Sequence, residues 1–224
     1  MKLDKPFNII VLGPPVSGKG TQAQLLATTF DIPHIAAGQM LHDVEHDSNH
    51  ALAGIVGDHI RRGELIPDAI INEMIALRLK QDDCTFGFVL DGYPRTVDQA
   101  HYLITQVAPT YVFLISLDDK LIVERMSGRR VCGKGHSWHI KYAPTRVDNV
   151  CDLCGGILKM RPDDHVGAVT QRLVTYHQQM EPIFDFFNVR KLLLPINGNQ
   201  PIEKVFQEMV RHLVTDLRHK IEQQ

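Results

Sequence analysis

Nine residues near the N-terminus, Gly13-Pro14-Pro15-Val16-Ser17-Gly18-Lys19-Gly20-Thr21, constrain this chain's fold more than any other segment. They follow Phe7 to Leu12 (FNIIVL), a short apolar run rich in β-branched residues that reads as a strand. They precede TQAQLLATTF, in which Ala23, Leu26, Ala27 and Phe30 recur at helical spacing. A glycine-rich loop in that position is suited to phosphate. Glycines let the backbone approach an anion, amides and the helix N-terminus point at it, and Lys19 supplies a point charge. The plain alternative is a Gly/Pro turn that only starts a helix; the preceding strand and Lys19 weigh against it. The generic loop has Ser or Thr directly after its lysine. Here Gly20 stands there, with Thr21 one place on.

The rest of the chain alternates in the same way. Gly87 to Leu90 and Tyr111 to Leu117 are strands apolar on both sides, as a doubly covered parallel sheet requires. Leu192 to Ile196 is a further strand, and Pro195 suits it to an edge or strand end. Helical stretches run over Asp68 to Leu79, Thr96 to Gln106, Lys120 to Met126, Gly167 to Phe187 and Pro201 to His219. The expected fold is α/β, a parallel sheet with helices on both faces and right-handed crossovers. Two segments interrupt it. Ala37 to Ile66 is polar, helical and His-rich, and Arg129 to His165 holds Gly, Pro and three of the four cysteines. The organisation that follows is a core of 1–36, 67–128 and 166–224 with a helical arm at 37–66 and a small β-rich lid at 129–165.

A net charge of −2 gives no general attraction for nucleic acid or anionic membrane, so neither is expected as a partner. No apolar run reaches the roughly 20 residues of a bilayer span, and Met1 to Phe7 lacks the features of a signal peptide. A cytoplasmic enzyme is the expectation.

Two more constellations carry chemistry. In Leu90-Asp91-Gly92-Tyr93-Pro94-Arg95-Thr96, an aspartate ends a buried strand beside the phosphate loop, where it can orient magnesium-bound water. Arg95 can clasp a phosphate bidentately, which lysine cannot. Cys132-x3-His136 and Cys151-x2-Cys154 form two short hooks of soft or borderline ligands, the pattern of structural zinc in a reducing compartment. Either His136 or His139 can supply the fourth ligand.

These segments resemble the adenylate kinases and related nucleoside monophosphate kinases, in register from Asn8 to Asn197-Gly198-Asn199-Gln200-Pro201. The first loop is similar to the family's G-x-P-G-x-G-K-G-T, and the Asp91 segment to D-G-F-P-R-T. Gly63 to Asp68 resembles G-x-L-V-P-D; Arg125 to Arg130, Arg161 to Asp164 and Gln171 to Leu173 resemble R-x-x-G-R-R, R-x-D-D and K-R-L. The resemblance implies a monomer that transfers a phosphoryl group from ATP to AMP with Mg, under a lid pinned by zinc. It implies catalytic roles for Lys19, Asp91, Arg95, Arg125, Arg129, Arg161 and Arg172. ATP would contact Gly13, Val16, Ser17, Gly18, Lys19, Gly20, Thr21, Arg125, Arg129, Trp138, His139 and Gln200. AMP would contact Ala37, His42, Glu64, Leu65, Ile66, Gly92, Arg95, Gln99, Arg161 and Arg172, with Gln99 reading the adenine edge. Zinc would take Cys132, His136, Cys151 and Cys154, His136 replacing a cysteine one residue earlier in the family pattern. Asp163 and Asp164 are expected to pair with lid arginines.

The departures point elsewhere. Val16 replaces a family glycine, and a β-branched residue disfavours positive φ, so a rearranged loop or a weaker grip on the donor phosphates is expected. S-T-G-D-M-L-R becomes Ala36-Ala37-Gly38-Gln39-Met40-Leu41-His42. His42 cannot form the fork of the arginine it replaces, so weaker AMP binding is expected, more so at higher pH. Ala37 is closer to UMP/CMP kinases, the rival chemistry. A nucleotide-binding zinc-hook scaffold without turnover is the rival from another class, and arginines from so many segments oppose it. His46, His50 and His59 read as solvated, and Cys84 as a small core residue.

Overall fold

The computed structural model describes residues 6–160 and 164–221, with the side chains of residue 172 and residues 215–221 left aside. The central sheet is parallel, in the order β2-β3-β1-β4-β7: β1 (Phe7–Leu12), β2 (His34–Ala36), β3 (Gly87–Asp91), β4 (Tyr111–Ser116) and β7 (Leu193–Asn197). Strand periodicity divides its side chains between two cores. Ile10, Leu12, Phe88 and Leu90 pack on one face with Ile71, Ile75, Leu103 and Phe187. Ile9, Val11, Val89 and Phe113 pack on the other with Leu26, Ala27, Met209 and Leu213. The first face is covered by α4 (Asp68–Leu79), α5 (Val97–Gln106) and α7 (Val166–Asn188), the second by α1 (Lys19–Phe30) and α8 (Ile202–Ile221).

β7 pairs only with β4 in this order, so Pro195 lies on an edge strand where its missing N–H is tolerated. The opposite edge, β2, has only three residues, His34-Ile35-Ala36, too few for a strand period to show in the sequence. Cys84 is buried in the first core.

Segment 37–66 folds as α2 (Ala37–His46) and α3 (Ala53–Arg62). After α6 (Asp119–Ser127) the chain forms a two-stranded antiparallel sheet of β5 (Arg129–Val131) and β6 (Ser137–His139). Leu158 and the buried Cys132 and Cys151 make a separate small core there, with Trp138 and Cys154 packed on it. Segment 37–66 thus leaves the sheet at the C-terminal end of β2, the side where open α/β sheets bind ligands, and 129–165 follows α6.

Candidate active site

The loop between β1 and α1 keeps its phosphate-loop shape. Gly18 caps α1 with φ 86°, and Gly13 leaves no room for a side chain: a Cβ there would lie 2.8 Å from both Ile115 O and Ser17 Oγ. Val16 takes a conformation that favours glycine. Its φ is 56°, left-handed despite the β-branch, while its side chain packs on the cluster of Ile122, Met126, Val169 and Leu173 between α6 and α7. The positive φ that the β-branch disfavours is adopted all the same, at the cost of local strain. A Cβ at Gly20 would come within 3.3 Å of Asp91 Oδ2, a tight contact that a Ser or Thr after Lys19 would have to relieve. Thr21 is exposed on the first turn of α1, and Ser17 is buried with its hydroxyl unpartnered.

Lys19, Asp91 and Arg95 form the electrostatic centre. Burial lowers the Lys19 pKa; the attraction of Asp91 opposes this, and the nearby Arg95 and Arg129 reinforce it. Burial likewise lowers Arg95, again against Asp91. A site with excess positive charge is suited to phosphates. Asp91 Oδ1 is buried without a hydrogen-bond partner, and His34 Nε2 lies 3.7 Å from Oδ2. An unpartnered carboxylate oxygen beside the phosphate loop fits the outer shell of a magnesium ion carried in with a nucleotide.

Two cavities open from this centre. The larger, about 1000 Å³, is lined by Gly13, Val16, Lys19, Arg129 and residues of α7 such as Tyr176 and Gln179. The smaller, about 420 Å³, is lined by Ala37, His42, Glu64, Leu65, Ile66, Gly92, Arg95 and Gln99, every residue expected on the acceptor side whose side chain is described. Glu64, Leu65, Gly92 and Arg95 line both, and Arg95 Nε donates to Gly92 O at 2.9 Å. Sequence reasoning missed Glu45, Leu41 and Ile60 in the smaller cavity; their side chains converge only once α2 packs on α3. It also missed Asp68. Gln99, 3% exposed, accepts from Arg95 N at 2.6 Å and donates to Asp68 Oδ1 at 2.7 Å. His42 stacks on His46 at 4.0 Å. His59 is half-buried, 3.2 Å from Glu64, rather than solvated.

The arginines enter from several elements. Arg129 binds Asp164 through two hydrogen bonds, Nε to Oδ2 at 2.8 Å and Nη2 to Oδ1 at 2.5 Å, and the Asp164 side chain is fully buried. This is one of the two expected lid pairings; Asp163 and Arg161 lie outside the described residues. Arg172 sits on α7. Arg125, on α6, reaches the carbonyls of Val16 and Gly198. Gln200 Nε2 donates to Glu208 on α8. His139 packs against Gly128, where a Cβ would come within 2.4 Å of the ring. Its Nδ1 accepts from Lys141 N and Tyr142 N, and burial lowers its pKa.

Cys132, His136, Cys151 and Cys154 offer four ligand atoms that all lie within 4.8 Å of one another. His136 Nδ1 is 3.4 Å from both Cys132 Sγ and Cys151 Sγ. His139, engaged elsewhere, is not part of this cluster. Three thiols and an imidazole converging on one point fit tetrahedral zinc. Burial would raise the Cys151 thiol, but hydrogen bonds from Trp138 Nε1 (3.3 Å) and from the amides of Leu153 and Cys154 outweigh it and bring it to about 6. The thiolate a metal requires is thus favoured at Cys151, whereas at Cys154 the pull of the Gly156 amide is outweighed by burial and the neighbouring Cys132 and Cys151 thiols, which raise it. Trp138, expected near ATP, instead points its indole at this knuckle.

Comparison with known proteins agrees with this geometry. The adenylate kinase family model matches residues 11–192. An adenylate kinase of Caldanaerobacter subterraneus subsp. tengcongensis is 38% identical over 221 residues, covering 96% of this chain and 100% of that protein. One from Clostridium tetani is 40% identical over 210 residues, 91% of this chain and 96% of its own. One from Methanosarcina barkeri is 40% identical over 209 residues, again 91% and 96%. With a family match over most of its length and relatives covered almost end to end, the chain belongs to the adenylate kinase family.

Proposed function

We infer that this protein transfers the terminal phosphoryl group of ATP to AMP, giving two ADP. One observation carries the reading: a large cavity at the phosphate loop and a smaller one at α2 and α3 meet at Arg95 and Gly92, beside Lys19. Donor and acceptor phosphates would face each other there. An oxygen of the AMP phosphate attacks the γ-phosphorus of ATP, the bridging bond to the β-phosphate breaks, and ADP leaves. The protein's work is alignment and neutralisation of charge. In our reading Gly13 to Thr21 cradle the donor phosphates, Lys19 and Arg129 face the transferring group, and Arg95 bridges it to the acceptor. Arg125 holds the donor side, while Arg161 and Arg172 complete the arginine set. Asp91 orients water around magnesium, which supplies further charge neutralisation when bound with ATP. Zinc in the four-ligand knuckle would stiffen the lid.

We further propose that 37–66 and 129–165 move as an acceptor arm and a lid over a core of 1–36, 67–128 and 166–224. Closure of this kind excludes water; adenylate kinase is among the standing examples. A cytoplasmic monomer suits the chain. Its four cysteines are unpaired, as zinc-binding thiols in a reducing compartment must be. No described helix is long and apolar enough to cross a membrane.

Incubating the protein with ATP, Mg and each of AMP, UMP, CMP and GMP, and following diphosphate, tests the function. AMP should be the best acceptor, and His42→Arg should lower its KM. A preference for UMP or CMP transfers the reading to the pyrimidine kinases, which Ala37 favours; no diphosphate from any acceptor leaves a binding scaffold.

A further inference from the structure

We propose that Asp68 is a positioning residue that sets acceptor specificity: it locks the Gln99 amide in one orientation, so that the small cavity takes a base carrying an exocyclic amine rather than an exocyclic oxygen. The proposal rests on the acceptor reading of that cavity and names what selects within it.

The partners of Gln99 have fixed polarity. The Arg95 backbone N–H can only donate, and it donates to Gln99 Oε1 at 2.6 Å. Asp68 accepts on both oxygens, from Gln99 Nε2 at 2.7 Å and from Thr96 Oγ1 at 2.7 Å. The Thr96 hydroxyl has one hydrogen and uses it on Asp68, because its oxygen already accepts from Gln99 N at 3.1 Å in capping α5. Turning the amide over would place its NH2 against the Arg95 N–H and its oxygen against a carboxylate. Both contacts would then be lost in a side chain that is 3% exposed, where unmade hydrogen bonds are costly.

Each end of the locked amide keeps one bonding position for the cavity it lines: the second lone pair of Oε1 and the second hydrogen of Nε2. An adenine edge offers an amine hydrogen beside a ring-nitrogen acceptor and complements that pair. A 6-oxopurine reverses both positions, setting oxygen against oxygen and N–H against N–H. Asp68, the first residue of α4, touches neither substrate in this account; it acts through Gln99.

The experiment compares kcat/KM for AMP and IMP, which differ only in the polarity of this edge. The wild-type protein should prefer AMP by about a hundredfold or more, since sites built around a hydrogen bond strongly reject its reversal. In Asp68→Asn either end of the new amide can face Gln99, and the preference should fall by about tenfold or more. Tyr93→Phe removes a hydroxyl that donates to Asn72 Oδ1 and lies 3.2 Å from the Gln99 backbone carbonyl, without touching the Gln99 amide, and should keep the preference. Retained preference in Asp68→Asn, or an equal loss in Tyr93→Phe, overturns the proposal. The nitrogen-15 signal of the Gln99 side chain in the wild-type protein without nucleotide gives a readout independent of any variant. One slowly exchanging hydrogen supports the lock, and fast exchange of both refutes it. A wild-type protein that does not phosphorylate AMP at all would instead defeat the functional reading itself.

Discussion

Arg125 donates from Nη1 to the carbonyl of Val16 at 3.2 Å, joining the helix that leads into the lid to the most strained residue of the phosphate loop. The contact shows what Val16 offers in place of glycine. Left-handed φ at a β-branched residue costs about 1–3 kcal/mol. Its side chain, half-buried on Ile122 and Met126, returns about 1 kcal/mol of apolar burial. Valine also spares the unfolded chain the extra freedom of glycine, about 0.5–1 kcal/mol. We therefore expect Val16→Gly to change stability by no more than about 1.5 kcal/mol and KM for ATP by no more than about threefold. Chemical denaturation and steady-state kinetics check both; a tenfold gain in ATP affinity would mean that the strain weakens phosphate binding.

Lys19 gives a pH-dependent expectation. Its folded pKa lies below the ordinary lysine value of about 10.4, chiefly through burial, so the charged form is disfavoured in the nucleotide-free protein. For a base with a lowered pKa, that cost is present in full below the folded pKa. It fades as pH rises through the folded value toward the unfolded one. Lys19→Met should therefore raise the melting temperature at pH 7, with a gain that shrinks on the alkaline side, while activity is lost. A Lys19→Met protein less stable than wild type at pH 7 would contradict this.

In the pair of Arg129 and Asp164 a fully buried carboxylate and a half-buried guanidinium are joined by two hydrogen bonds. Removing one partner of such a pair leaves the other uncompensated, typically at about 3–5 kcal/mol. Asp164→Asn should lower stability by about 3 kcal/mol, measured by denaturant unfolding. It should also reduce turnover, because Arg129 lines the larger cavity. Unchanged turnover together with a loss under about 1 kcal/mol would show that the pair orients nothing.

For the lid, we expect one zinc per chain by elemental analysis. Chelation or Cys154→Ser should lower the melting temperature, because binding energy at such a site is folding energy. Zinc-free protein with an unaltered melt would remove the metal from the account.

Much of this was legible in the sequence because it depended on local pattern. β1, β3 and β4 are continuous apolar runs, and the Gly13 to Thr21 loop carries its chemistry in nine consecutive residues. The metal hooks are short-range as well, and spacing could not choose between His136 and His139; convergence of the side chains does. What escaped was set by tertiary contact. β2 exists because His34-Ile35-Ala36 pairs with β3, not because three residues prefer extension. The backbone of Val16 takes the loop's conformation over its own preference. Asp68 reads as an acidic first residue of a helix, and its partner Gln99 is 31 residues away. Trp138 serves the knuckle because the β5–β6 hairpin turns it inward.

Titration calorimetry with two adenosines joined through five phosphates tests the central claim most directly. If ATP and AMP are held end to end across Arg95, the compound should bind once per chain, compete with both nucleotides, and lose most of its affinity in Lys19→Met. Competition with ATP alone, or undiminished binding to Lys19→Met, would contradict two facing nucleotide sites joined at the phosphate loop.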